Sequence, residues 1–148
     1  MKALLRLLRL EFLPLNADLG LLALRVWLGL TMLLNHGLDK LLTFGEKASG
    51  FPDPFGLGSS VSLGLAVFAE AVCSPLLVVG LFARFAALNL AATMSVAFFV
   101  VHRSALSGER SGELAFIYLA GLVALLIAGP GRLSLDHALS GKGMAAKQ

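Results

Sequence analysis

The sequence predicts an all-α fold, an integral membrane four-helix bundle, and three observations predict it. Hydrophobic residues are 57% of the 148 and charged residues 14%, against roughly 45–50% and 25% in soluble domains. The apolar residues gather in four runs of helical length, about Leu19–Leu38, Val61–Phe82, Phe85–Val101 and Glu113–Ala128, each close to what a hydrocarbon layer of about 30 Å demands. Within the first run, Arg25, Gly29, Met32, His36 and Lys40 fall four, three, four and four residues apart. On a helix they share one face. A cation turned to lipid costs roughly 2.5–3.5 kcal/mol on insertion scales, so that face must turn toward other helices of the chain.

Taken in order, residues 1–16 read as a basic amphipathic segment. Lys2, Arg6 and Arg9 lie on one helical side among leucines, a pattern for a short helix on an anionic membrane surface or for a positive flank before the first span. Pro14 closes it, and Asn16 or Asp18 supplies an N-cap for the next helix. Residues 17–137 form the four-span membrane domain. Between its first two spans, residues 39–60 make the longest loop, rich in Gly and Pro around FPDPFGLG. Phe44, Phe51 and Phe55 make it a candidate lid over a pocket, with a plain connector as the alternative. Arg84 marks a tight turn between the second and third spans. Gly129-Pro130-Gly131-Arg132 stops the fourth, and residues 138–148 are a polar tail expected to fray.

The first and third spans each end on a histidine, in LLNHGLDK and FFVVHRSA. This is compatible with two repeated helical hairpins around a polar seam. Lysine and arginine favour the side of the termini, with seven there (Lys2, Arg6, Arg9, Arg84, Arg132, Lys142, Lys147) against four opposite (Lys40, Lys47, Arg103, Arg110). The positive-inside rule then places both termini in the cytoplasm of a multi-pass protein of the cell's inner membrane.

Several function classes drop out. Cys73 is the single cysteine, which excludes an internal disulfide and any CxxC metal or redox motif, and leaves a thiol in an apolar run as inert packing. No HxxxH or HExxH spacing supports a metal site. The net charge of +3 sits at chain ends and loops, as membrane topology places it, and gives no nucleic-acid signal. The first apolar run is broken by Arg6, Arg9 and Glu11 with no A-x-A site after it, so it does not read as a cleavable signal.

Two groups carry candidate chemistry. Arg25 and Glu70 are the ionisable residues well inside spans. They are expected to form a buried ion pair, direct or bridged, that either fixes helix register or serves a proton or ligand. At the outer rim, His36, Asp39 and Lys40 from the first span, His102 and Arg103 from the third and Glu113 at the start of the fourth should share one depth. His36, Lys40, Glu70, His102 and Glu113 are the candidates for moving protons or holding a quinone by hydrogen bonds. The alternative is an ordinary set of interfacial charges facing water. Tyr118 and Asn89 are expected to make interhelical hydrogen bonds.

These residues, with the Gly80-x-x-x-Arg84 turn and the closing GPGRLSLD of Gly129–Asp136, resemble the DoxX family of small four-helix membrane proteins over about residues 19–137. The family takes its name from an archaeal thiosulfate:quinone oxidoreductase, and related members are described as parts of membrane redox complexes. The resemblance therefore implies a subunit or partner of a quinone-linked redox system. A quinone would sit under the 41–60 loop, with no covalent cofactor, and a soluble or membrane partner would supply electrons. Related folds also act as assembly or cargo factors. The alternative is thus a non-catalytic factor that binds a lipid or a partner protein, with its buried charges structural. A homo-oligomer is compatible with either.

Overall fold

The computed structural model describes residues 1–13 and 15–145. Pro14, expected to close the first segment, lies outside them. Helix α1 is Lys2–Leu8, α2 is Ala17–Leu42, α3 is the single turn Phe44–Lys47 and α4 is Ser59–Val79. They are followed by α5, Ala83–Val101, α6, Glu113–Ala128, and α7, Leu135–Ala145. At 26, 21 and 19 residues, α2, α4 and α5 are long and apolar enough to cross a membrane, and α6 is a shorter apolar helix of 16. Leu4, Leu7 and Leu8 of α1 are exposed.

The element boundaries have local causes. Asn16 caps α2, its side-chain oxygen accepting from the Leu19 amide at 3.0 Å. The sequence suggested that the second span reaches Phe82, but α4 stops at Val79 because Gly80 turns left-handed at φ +72°. The tail expected to fray is helical through Ala145. The Ser134 hydroxyl accepts from the His137 amide at 3.2 Å and caps it.

Three of the long helices contain a wide π-turn: Leu33–Gly37 in α2, Phe68–Cys73 in α4 and Val96–Val101 in α5. In α4 the cause is Pro75, which has no N–H for the carbonyls of the turn before it. In α2 the turn has a consequence. Four α-turns take about 14.4 residues, whereas Lys40 follows Arg25 by 15. The wider turn absorbs the excess and keeps Lys40 on the face of Arg25.

Helices α2 and α4 pack as one antiparallel pair, α5 and α6 as another. The common core is apolar: Met32, Cys73, Leu77, Leu90, Leu122 and Leu125 are each at most 2% exposed. Close approach is written into glycines. A Cβ at Gly37 would lie 2.4 Å from the Glu70 carbonyl oxygen, and one at Gly121 would lie 2.7 Å from Leu28.

One end of the bundle, called here the terminal face, carries the start of α2, the α4–α5 turn and the segment after α6. It is knitted by side chains onto backbone. The Asp18 carboxylate accepts from the Arg132 amide at 2.7 Å. Asp136 accepts from the Phe82 and Ala83 amides, both at 2.8 Å, and so caps α5 from across the fold. Arg25 belongs to this network, which corrects the expected Arg25–Glu70 pair. Its guanidinium is fully buried and donates to the carbonyls of Leu77, Val78 and Leu133 at 3.1, 3.1 and 2.6 Å. The first two lie at the C-terminal end of α4, where the Leu77 carbonyl also accepts from the Gly80 amide at 3.2 Å and where a cation meets the negative end of the helix dipole. Register explains the miss. Leu77 is seven residues beyond Glu70, about 10 Å along the helix, so Arg25 and Glu70 lie in different layers. Asn89 also departs from expectation: its amide donates to Phe85 of its own helix.

Candidate functional site

Glu70 finds its partner at the other end of α2. Lys40 Nζ donates to Glu70 Oε1 and Oε2 at 2.6 and 2.5 Å. Glu70 is 2% exposed and the Lys40 side chain 21%. Gly37, one turn before Lys40, makes the pair possible by letting the α2 backbone lie against the Glu70 main chain. The neighbouring Asp39 points away and holds Lys47 at the surface. The Lys40–Glu70 pair is formally neutral, and an ammonium has three N–H donors. Two go to Glu70, which leaves one for another acceptor.

The pair stands between two cavities, and both cavities are lined by Lys40, Glu70 and Ala97. The first is a polar vestibule of about 270 Å³ toward the face opposite the termini, where His36, His102, Ser111 and Tyr118 also line it. The His36 ring meets Tyr118 edge to face, with centroids 6.1 Å apart. His102 Nδ1 lies 3.0 Å from the Arg110 carbonyl oxygen. A carbonyl only accepts, so Nδ1 carries the proton and Nε2 is the atom that can take another. Gly112 lets the 104–112 loop fold over this ring, since a Cβ there would come within 2.7 Å of the His102 side chain.

The second cavity, about 420 Å³, is an apolar slot. It opens sideways between α4 and α5, where Leu65 of α4 and Ala92 of α5 are exposed. Phe51, Pro52, Pro54 and Phe55 cover its end at the opposite face. The 51–58 loop is held in place by Asp53, which accepts from the Leu57 and Gly58 amides at 3.0 and 2.8 Å and from the Ser62 hydroxyl at 2.8 Å. Ser62 leads, and Gly58 next, in holding the Asp53 carboxyl below its usual range.

The structure thus brings together His36, Lys40, Glu70 and His102. It does not bring Glu113, whose side chain is exposed and lines neither cavity. Glu113 opens α6, and the inward face of that helix starts two residues later. Sequence reasoning missed Ser111 as a lining residue and took Tyr118 only as glue between helices. The signal was there: Ala115, Tyr118, Leu122 and Leu125 recur at helical spacing and are all buried. That face runs inward from the rim and carries one polar member, Tyr118. Among the described residues no three His, Cys, Asp or Glu side chains converge as a metal site would need.

A family model described as DoxX matches residues 20–103, more than half of the chain. The match includes Arg25, His36, Lys40, Glu70 and His102 and ends before α6. A Haemophilus influenzae protein described only as uncharacterized is 35% identical over 98 residues, which are 63% of this chain and 64% of that protein. The chain therefore spans just under two thirds of the length of the curated relative it matches. No solved structure matches it.

Proposed function

This chain belongs to the DoxX family, and from that premise we propose that it is the membrane component of a quinone-linked redox system, binding a quinone at the Lys40–Glu70 pair. One observation carries the reading. An apolar slot open to the bilayer ends on a hydrogen-bonding ion pair whose other side faces a polar chamber.

The residues present fit such a group. A volume of about 420 Å³ lies within the range of roughly 300–1,000 Å³ typical of small-ligand sites. The slot offers aromatic and aliphatic walls to a flat ring and its chain, and one donor at its polar end. Because Lys40 and Glu70 cancel, a neutral acceptor such as a ring carbonyl completes the site without burying net charge. A carboxylate or phosphate head would bring a net negative charge into an apolar wall. When bound, a quinone supplies two-electron, two-proton chemistry. Lys40 donates its third N–H to the carbonyl and Glu70 orients Lys40. Phe51 and Phe55 keep water from the slot's end at the opposite face. No dinucleotide or metal motif stands in the sequence, so a soluble or membrane partner provides or accepts the electrons. The lysine and arginine distribution supports a cytoplasmic terminal face in a cell with an inner membrane.

The test is the quinone content of the protein purified in mild detergent, by solvent extraction and mass spectrometry, for wild type and Ala92→Trp. The indole would fill the slot from an exposed position and leave the core untouched. Near-stoichiometric quinone in wild type, lost in the folded variant, supports the reading. Phospholipid in its place, displaced by the same substitution, would favour the non-catalytic lipid-binding factor.

A further inference from the structure

The polar vestibule has no role in holding a ring in the lateral slot. Its walls and its floor suggest a different one.

Its mouth is formed by His102 and Ser111, both half-buried at the face opposite the termini, beside the exposed 104–110 loop. Its inner end is Tyr118, Met94 and Ala115. Below that lies the layer of Met32, Cys73, Leu77, Leu90, Leu122 and Leu125, each at most 2% exposed and without a charged group. Ser74 of α4, fully buried and with no hydrogen-bond partner for its hydroxyl among the described residues, is a polar side chain at this depth; charged groups return only beyond the layer, with Arg25, Asp18 and Asp136 at the terminal face. The two charged layers are separated by the seven residues from Glu70 to Leu77, about 10 Å of close helix packing.

Water enters a chamber that is polar and roomy enough to give it several partners, and stays out of an apolar one. The vestibule satisfies the first condition and the core layer the second. The titratable groups that line the vestibule with Lys40 and Glu70 are His36 from α2, His102 at the end of α5 and Tyr118 from α6. Each lies on the vestibule side of the core layer. The Arg110 contact engages Nδ1 of His102 and leaves Nε2 as the ring nitrogen that can accept a hydrogen bond in the chamber.

We infer that the vestibule is a water-filled proton-exchange chamber for the Lys40–Glu70 pair, open to the face opposite the termini and sealed from the terminal face by the apolar core layer. A proton bound or released at the pair therefore exchanges with one side of the membrane only. Its use in redox chemistry rests on the quinone reading above, but the sidedness of the chamber does not.

The experiment is side-specific labelling of the full chain in lipid vesicles, oriented by protease access to a tag placed after Gln148. In a Cys73→Ala background, single variants Ser111→Cys, Ala115→Cys and Leu122→Cys are exposed to a membrane-impermeant cationic methanethiosulfonate from each side. The expected result is labelling of Ser111→Cys and Ala115→Cys only from the side opposite the tag, and of Leu122→Cys from neither. Labelling of Ala115→Cys from the tag side, or from neither side while Ser111→Cys reacts, overturns the inference. Ser111→Cys is close to isosteric, so it remains informative if Ala115→Cys fails to fold. In that case, labelling of Ser111→Cys from the tag side or from neither side overturns the inference too. Quinone content is measured on the same samples. One-sided labelling without bound quinone would keep the chamber and sink the redox reading. Bound quinone with two-sided labelling would do the reverse.

Discussion

Replacing Lys40 with methionine keeps the length of the side chain and removes its charge, leaving Glu70 alone in the wall between the cavities. The cost follows from burial. Glu70 is 2% exposed and takes two short hydrogen bonds from one ammonium. Breaking a buried pair from one side costs about 3–5 kcal/mol, because the remaining charge is uncompensated. At about 1.4 kcal/mol per factor of ten, the folding equilibrium falls by roughly two to three and a half orders of magnitude. Removing both partners is different. Lys40→Met with Glu70→Leu leaves two apolar side chains of fitting volume, and such replacements are neutral or stabilising by about 1–4 kcal/mol. The double variant should regain wild-type stability or exceed it, while losing the donor a quinone carbonyl needs. The assay is unfolding in mixed dodecylmaltoside–SDS micelles followed by circular dichroism, for both single variants and the double. A loss of no more than about 1 kcal/mol for Lys40→Met would place the pair among exposed ion pairs and refute the burial argument. A double variant as unstable as the single would refute the assignment of Lys40 as the partner of Glu70.

The terminal-face network makes a separable prediction. Arg25→Lys keeps the charge but cannot reach three carbonyls from one point, and each lost charged hydrogen bond costs about 1.5–3 kcal/mol; stability falls in the same micelle assay while quinone bound per folded protein is unchanged. Gly80→Ala forces φ +72° on a side chain and drives a Cβ to within 2.4 Å of the Arg25 guanidinium, so it should destabilise by more than the roughly 0.4–1 kcal/mol by which an unstrained Gly→Ala stabilises, and a neutral result would contradict the turn geometry. Asp136→Ala removes both 2.8 Å caps from α5 and should cost about 1–2 kcal/mol, read as faster hydrogen exchange at Phe82 and Ala83. Asp53 predicts a pH effect: its carboxyl is held below the usual value by Ser62 and the loop amides, so the clamp is fully present above the unfolded-state value and is lost as pH falls through the lowered one. Protection of the Leu57 and Gly58 amides, corrected for intrinsic exchange, should therefore be level at neutral pH and drop only in strong acid, and Asp53→Asn should abolish that dependence.

The fold was legible because membrane helices advertise themselves in composition and run length. The inward face of α2 was legible too, since Arg25, Gly29 and Met32 are buried as their spacing required and His36 and Lys40 line the site. The pairing within that face was not. Matching charges by type joined Arg25 to Glu70, whereas the antiparallel register set by Gly37 against the Glu70 backbone gives Glu70 to Lys40. The terminal nitrogens of Arg25 are instead held by main-chain carbonyls, which every residue possesses and no pattern of side chains can announce. The π-turns were equally hidden, except in α4, where Pro75 could have signalled one. The aromatic loop was readable as a cover, and Phe51 and Phe55 do line the slot. Phe44 does not, because it starts the separate turn α3. Glu113 was misplaced because the α6 face that turns inward begins at Ala115.

Photolabelling with an azidoquinone in native membranes tests the lateral site most directly. Digestion and mass spectrometry should place the adducts on the 51–55 loop and on α5 between Ala92 and Val101, in an amount that excess unlabelled quinone abolishes and Ala92→Trp prevents. Adducts spread without competition over lipid-facing residues such as Phe116, Ile117 and Ile127 of α6 would mean that quinone meets this protein only as a component of the bilayer.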